Sequence, residues 1–145
     1  MMIEFALALP VLSILLIGLL DLGRFALDKS SMLQAARSGA QYGIVASNAG
    51  VLTATDLTNV NTTAVASTSL TGVTASNSVF CECTSGVTVL CTATCSSGNL
   101  LKHYLTVTTT RSFTSVVGVT GLHFGTLGNW SAPTSITASV TTLLP

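Results

Sequence analysis

Residues 3–29 read IEFALALPVLSILLIGLLDLGRFALDK, and they constrain the structure of this chain more than any other stretch. One acid, Glu4, stands at the start, and sixteen residues without a formal charge follow, from Phe5 to Leu20. About 20 apolar residues in a helix cross the hydrocarbon of a bilayer, so the stretch predicts a membrane-length helix. A lone carboxylate at the edge of such a helix is costly, which indicates a functional role for it.

The composition of the whole chain points the same way. Charged residues make up 7% of the 145 residues, against about 25% in soluble domains. A folded monomer so poor in charge is hard to keep in solution, so we expect much of its surface to be buried against lipid or other subunits. Five acids balance five bases, which argues against nucleic acid as a partner, because phosphate binding needs a basic surface.

The first segment predicts one long helix over about residues 2–47. Pro10 lies inside the apolar run and is expected to kink the helix or loosen its first turns. After Asp21 the helix becomes amphipathic, and residues 48–50, Asn-Ala-Gly, are a plausible end, with the Asn or the Gly in the left-handed conformation. This helix defines a first region, residues 1–48, and the rest of the chain, residues 49–145, is a β-rich head.

A short second helix is expected over residues 55–67 of the head. Asp56 can cap it, and four apolar residues fall on one face: Leu57, Val60, Ala64 and Val65. Beyond about residue 70 the period changes to two, most clearly in residues 104–113, and Ser and Thr supply many of the positions. Together these patterns predict an α+β fold in which a small antiparallel sheet of three or four strands packs on the long helix.

Four cysteines lie within fifteen residues: Cys81, Cys83, Cys91 and Cys95. In a chain that begins with a membrane segment, two disulfides formed in an oxidising compartment explain them best. A metal knot is the alternative, although CxC followed by CxxxC without a histidine between them is not a usual zinc pattern. Cys81 and Cys83 cannot pair with each other, which leaves 81–95 with 83–91, favoured by a hairpin turn at residues 85–86, or 81–91 with 83–95.

The sequence offers little for catalysis. It has no GxSxG, HExxH or P-loop motif, and His103 and His123 stand apart from any acid. We therefore expect neither an enzyme nor a cofactor or metal site. Asn61 and Asn129 match the acceptor pattern for N-glycosylation, a weak signal in a chain rich in Ser and Thr.

Glu4 admits two roles. It can favour the positive N-terminal end of its own helix, or neutralise the free α-amino group of an adjacent subunit in a staggered bundle. The alternative is a carboxylate that only faces headgroups or water. The first charge of the chain is negative, whereas a signal peptide begins with positive charge, so we expect a chain processed behind a basic leader.

In order and spacing, these N-terminal residues closely resemble the TadE/TadG-like pilin family of tight-adherence pilus systems. The resemblance rests on EFAL at residues 4–7 with Pro10, the apolar run, DLGR at residues 21–24, and AARSGA at residues 35–40. It implies a type IV pilin-like protein with a helix at the centre of a filament and a head outside. In that setting Glu4, Phe5, Pro10, Asp21 and Arg24 are the expected assembly residues.

The resemblance also implies partners and a location. A prepilin peptidase removes the leader, inner-membrane assembly machinery extracts the subunit from the lipid bilayer, and the chain forms a homopolymer on the cell surface that serves adhesion. Two alternatives remain open. One is a membrane-retained minor pseudopilin that initiates or regulates assembly, and the other is a single-pass anchored protein whose head binds a ligand.

Overall fold

The computed structural model describes the backbone of residues 2–96, 98–115, 121–123, 129–131 and 133–145. It describes the side chains of these residues except 2–7, 14, 121–123 and 129–131. Two helices and six strands lie in the described ranges: α1 Met2–Ala46, α2 Ala54–Ala66, β1 Thr74–Cys83, β2 Thr88–Val89, β3 Leu101–Ser112, β4 Gly121–His123, β5 Asn129–Ser131 and β6 Ser135–Leu144. The predicted α+β fold, a long helix packed on a small antiparallel sheet, is confirmed.

The long helix α1 ends within a residue of its expected boundary. Ala49 and Gly50 take the left-handed conformation (φ 51° and 76°), whereas Asn48, one of the two expected candidates, instead forms a β-bridge with Val51. Gly50 lies against His103, and a Cβ at residue 50 would come within 3.0 Å of the imidazole. Tertiary contact therefore adds to backbone conformation in favouring glycine there.

Helix α2 begins one residue earlier than expected, and its cap differs from the predicted one. The N-cap is Thr53, whose hydroxyl accepts a hydrogen bond from the backbone N–H of Asp56. Asp56 completes a capping box by accepting from the backbone N–H of Thr53. Val60 and Ala64 are buried as expected, but Val65 is 38% exposed, because the face that packs on α1 is narrow.

The main sheet has the strand order β2-β1-β3-β6, and its paired strands are antiparallel. Its inner face packs on both helices and carries Leu105, Val107 and Ile136, all essentially buried. β4 and β5 pair with each other in a separate two-stranded sheet. Gly121 of β4 lies level with Ser131 of β5, and His123 lies level with Asn129.

The outer face of the main sheet is lined by hydroxyls. Register places nine Ser and Thr residues in three rows across β1, β3 and β6: Thr74, Thr110 and Thr137; Ser76, Thr108 and Ser139; Ser78, Thr106 and Thr141. Ser and Thr supply polarity where charges are scarce, and Thr suits a strand. Two stacked rings, Phe80 and Tyr104, with centroids 5.1 Å apart, follow the rows.

Both predicted disulfides are present, with the crossed connectivity 81–91 and 83–95. The nested pairing that the hairpin favoured is wrong. The turn at residues 85–86 does form, and Cys81 lies level with Val89 of β2. The chain must then return to the start of β3, where Leu101 lies level with Cys83 on the other side of β1. Along this path Cys91 comes next to Cys81, and Cys95, four residues later, comes next to Cys83.

Candidate assembly surface on the long helix

The N-terminal half of α1 projects from the head. In the part of α1 with described side chains, residues 8–13 and 15–20 are all exposed, and the large apolar ones range from 40% to 65%: Leu9, Val11, Leu12, Leu15, Leu16, Ile17, Leu19 and Leu20. We call residues 8–20 the projecting segment. Thirteen residues cover every direction around a helix axis, so this surface is apolar all round, a pattern that requires burial in lipid or among other helices.

One helix in the described chain, over Ala8–Ala46, is long and apolar enough to cross a membrane. Its apolar part is not buried within the subunit. This combination agrees with membrane association of the N-terminal segment.

The head begins to contact α1 at the residues just after the projecting segment. Asp21 accepts a hydrogen bond from the Ser115 hydroxyl, and the rings of Phe25 and Phe113 pack edge to face, with centroids 5.4 Å apart. The site prediction treated Asp21 as an assembly residue only. The structure shows that it also ties the helix to the head.

An ion pair one turn further along fixes this junction. Nη1 of Arg111 lies 2.6 Å from Oδ2 of Asp28, and Nε of Arg111 donates to the carbonyl of Thr71 at 2.9 Å. Both charged side chains are about one quarter exposed, so the pair is only partly screened by water. The sequence motifs do not point to this pair. The available signal was a charge, Arg111, in a strand whose other charged residue, Lys102, lies at the opposite end.

Arg24, another predicted assembly residue, is exposed on the helix beside this ion pair. It lines a shallow cleft together with Asp28 and Arg111. Among the described residues, its guanidinium has neither a hydrogen-bond nor an ion-pair partner. It is therefore positioned to reach a group outside the subunit, which leaves its assembly role a prediction.

The remaining predicted assembly residues lie at the far end of the helix. Glu4 and Phe5 belong to the first turns of α1, and their side chains lie outside the described ones. Pro10 lies within α1 and is exposed. Farther along, a Cβ added at Gly18 or Gly23 would meet nothing within 4 Å. Small residues on an apolar helix let a second helix approach closely, so these glycines are candidate contact positions.

Two other predicted sites lie on the head. Asn61, a candidate glycosylation acceptor, accepts a hydrogen bond on Oδ1 from Asn77 at 2.9 Å and is half-buried. Asn129 lies in β5, and its side chain is outside the described ones.

Near the disulfides, Nδ1 of His103 lies 3.3 Å from Sγ of Cys81. Both sulfurs of this cluster, those of Cys81 and Cys91, share a disulfide bond, whereas a metal needs a thiolate.

Comparison with known proteins supports the resemblance drawn from the N-terminal motifs. The family model described as TadE-like protein matches residues 1–41, which contain the projecting segment and the first part of the helix that packs on the head. Neither a curated protein nor a solved structure matches the chain. Residues 1–41 are therefore similar to the TadE-like family, the family to which the N-terminal motifs point.

Proposed function

We propose that this chain is a structural subunit, a pilin, of an extracellular Tad-type filament that serves adhesion, and that it polymerises through the projecting segment. The observation that carries the proposal is a helix whose residues 8–20 are apolar all round and exposed, joined to a head whose described residues pack on the later turns. A plain membrane anchor needs the same apolar length, so the family match and the charge-poor head give the additional support.

The proposed assembly is an exchange of apolar neighbours. In the inner membrane the projecting segment contacts lipid tails, and in the filament it contacts the same segment of other copies. Both environments are apolar, so the exchange changes the free energy little, and close packing at residues such as Gly18 and Gly23 supplies the preference. Copies related by one head-to-tail operation form an open helical polymer rather than a closed ring.

Glu4 gives this polymer its register in the proposal. A carboxylate inside an apolar bundle needs a partner, because an unpaired buried charge is costly. In a staggered bundle the free α-amino group of a neighbouring, processed copy supplies that partner. Prepilin peptidase, which generates this amino group, and the inner-membrane assembly machinery are the proposed partners outside the filament.

Shearing the cells tests the proposal directly. We expect this chain in the released fraction as long filaments made chiefly of copies of itself. Strict retention in the membrane fraction would contradict the filament role and would favour a membrane-retained minor pseudopilin. A released filament that contains this chain only at substoichiometric levels would show a minor subunit.

The role of Glu4 needs a matched pair of acid variants. Glu4→Ala should reduce the sheared filament at least tenfold while leaving the amount of chain in the membrane unchanged. Glu82→Ala is the control, because this acid lies in β1 opposite Lys102, at the far end of the head from the projecting segment. Normal filament yield from Glu4→Ala would refute the neutralisation role without refuting polymerisation.

A further inference from the structure

The strand β6 forms an open edge of the main sheet. In the described chain β6 pairs with β3 on one side, and neither β4 nor β5 joins this sheet. Ten residues long, β6 reads SITASVTTLL. An edge strand presents a row of unpaired N–H and C=O groups, which is a template for another strand.

The pairing register shows which backbone groups face the open side. The N–H of Phe113 donates to the carbonyl of Thr134 at 2.9 Å, and hydrogen-bonded pairs alternate along an antiparallel ladder. The even-numbered residues of β6 therefore bond to β3. The odd-numbered residues direct their N–H and C=O groups outward: Ser135, Thr137, Ser139, Thr141 and Leu143. Among the described residues, these groups take part in one weak local contact, from Oγ1 of Thr142 to the Leu143 carbonyl at 3.5 Å.

This edge lacks the usual protection against pairing. Natural sheets place Lys, other charges, Pro or a bulge on an edge strand, and β6 has neither a charged residue nor a proline. The opposite edge differs. There β1 is open only over residues 74–80, because β2 pairs at Cys81 and Glu82 and obstructs a longer partner.

We propose that β6 pairs antiparallel with β6 of a second copy of this chain, with Ser139 opposite itself on the two-fold axis. Thr137 of one copy then faces Thr141 of the other, and the outward groups of the whole strand find partners. A second copy suits this edge because β6 is uncharged, so two β6 strands can pair without repulsion between like charges. The antiparallel arrangement is expected because antiparallel ladders are somewhat more stable per residue than parallel ones.

The geometry of the pair determines where the second copy comes from. Helix α1 runs in the same direction as β6, because Met32 packs near Ile136 and Ala40 packs near Leu144. A two-fold axis perpendicular to the sheet makes the two long helices point in opposite directions. Subunits of one filament or one membrane share a direction, so the pair joins heads from two filaments or from two facing surfaces. It thus goes beyond polymerisation and does not depend on it.

Cysteine cross-linking of the full-length chain in detergent tests the register. Opposite residues of a hydrogen-bonded antiparallel pair have Cα atoms about 5.5 Å apart, within disulfide reach. Ser139→Cys should form a covalent dimer on mild oxidation. Ser76→Cys is the matched control, because Ser76 lies exposed in the same row of the outer face but on β1. Equal dimer yields from both variants would overturn the proposal, as would cross-links seen only in a mixture of the two variants, which would indicate β6–β1 pairing.

A charge variant tests the same edge without a covalent bond. Ser139→Lys places two like charges directly opposite each other and should weaken the dimer at least tenfold in sedimentation of the full-length chain, whereas Ser76→Lys should not. Unchanged association of Ser139→Lys would overturn the proposal. Sheared filament yield from Ser139→Lys is measured in parallel, and a normal yield with a lost dimer separates this pairing from polymerisation.

Discussion

Replacing Gly39 by alanine tests how closely the two helices pack. A Cβ built on Gly39 would lie 2.9 Å from the Cβ of Ala64 and 2.9 Å from the backbone oxygen of Val60. Carbon atoms in contact prefer about 3.5–4.0 Å, so α1 and α2 would have to separate by roughly half an ångström or more. The obstructing atoms belong to a helix backbone and to an alanine, neither of which can rotate away.

Two opposing effects set the magnitude. Alanine gains about 1 kcal/mol over glycine in a helix interior, and overpacking costs about 1–3 kcal/mol. Gly23→Ala isolates the first effect, because a Cβ at Gly23 meets nothing within 4 Å, so the variant gains helix propensity without overpacking. Gly39→Ala should therefore be about 1–3 kcal/mol less stable than Gly23→Ala.

Urea unfolding of the full-length chain in detergent, followed by circular dichroism, measures this difference. Thermal unfolding gives a second measure of the same difference. At roughly 4 °C per kcal/mol, a stability difference of about 2 kcal/mol would lower the melting temperature of Gly39→Ala by about 8 °C relative to Gly23→Ala. A Gly39→Ala variant as stable as Gly23→Ala would refute the close approach of the helices. Gly23→Ala serves a second purpose, since reduced filament yield without loss of stability would place Gly23 in a contact between subunits.

Three further predictions concern the head. Arg111→Met should lower the free energy of unfolding by about 1–3 kcal/mol because it leaves the carboxylate of Asp28 without its ion-pair partner. Adding Asp28→Asn should cost little more, and a double-mutant cycle measured by urea unfolding would show this. Thr109→Val should cost about 1 kcal/mol in the same assay, since the buried hydroxyl donates to the helix backbone at 3.0 Å, whereas Thr109→Ser keeps this bond. The hydroxyl of Thr53, and then its backbone N–H, hold the pKa of Asp56 below its ordinary value. Because the pKa is lower in the folded state, this contribution is complete above about pH 5 and fades as the pH falls below about 4, so amide exchange at the start of α2 should quicken with acid in the native chain but not in Asp56→Asn.

Much of the architecture could be read from local patterns. The apolar run and the change of period after about residue 70 predicted the long helix and the sheet, because burial of one face imposes a period of 3.6 on helices and 2 on strands. β1 was not singled out, because its outer face is mostly Ser and Thr and its inner face carries Ala, Asn and Cys with a single Val, so the alternation lacks large apolar residues. The cap of α2 was misplaced by three residues because Thr53 and Asp56 both suit an N-terminus, and only the reciprocal bonds distinguish the cap from the third helical residue.

The sequence by itself determined the TadE-like helix, the α+β class and the pairing of all four cysteines into two disulfides, because each depends on residue type and spacing within one segment. The tertiary structure alone decided the rest. It brought Asp28 to Arg111 across 83 positions of the chain, chose the crossed disulfides through the path from β2 to β3, and left β6 at the edge of the sheet. These features depend on which strands become neighbours, and strand order follows from the packing of the whole chain rather than from any local pattern.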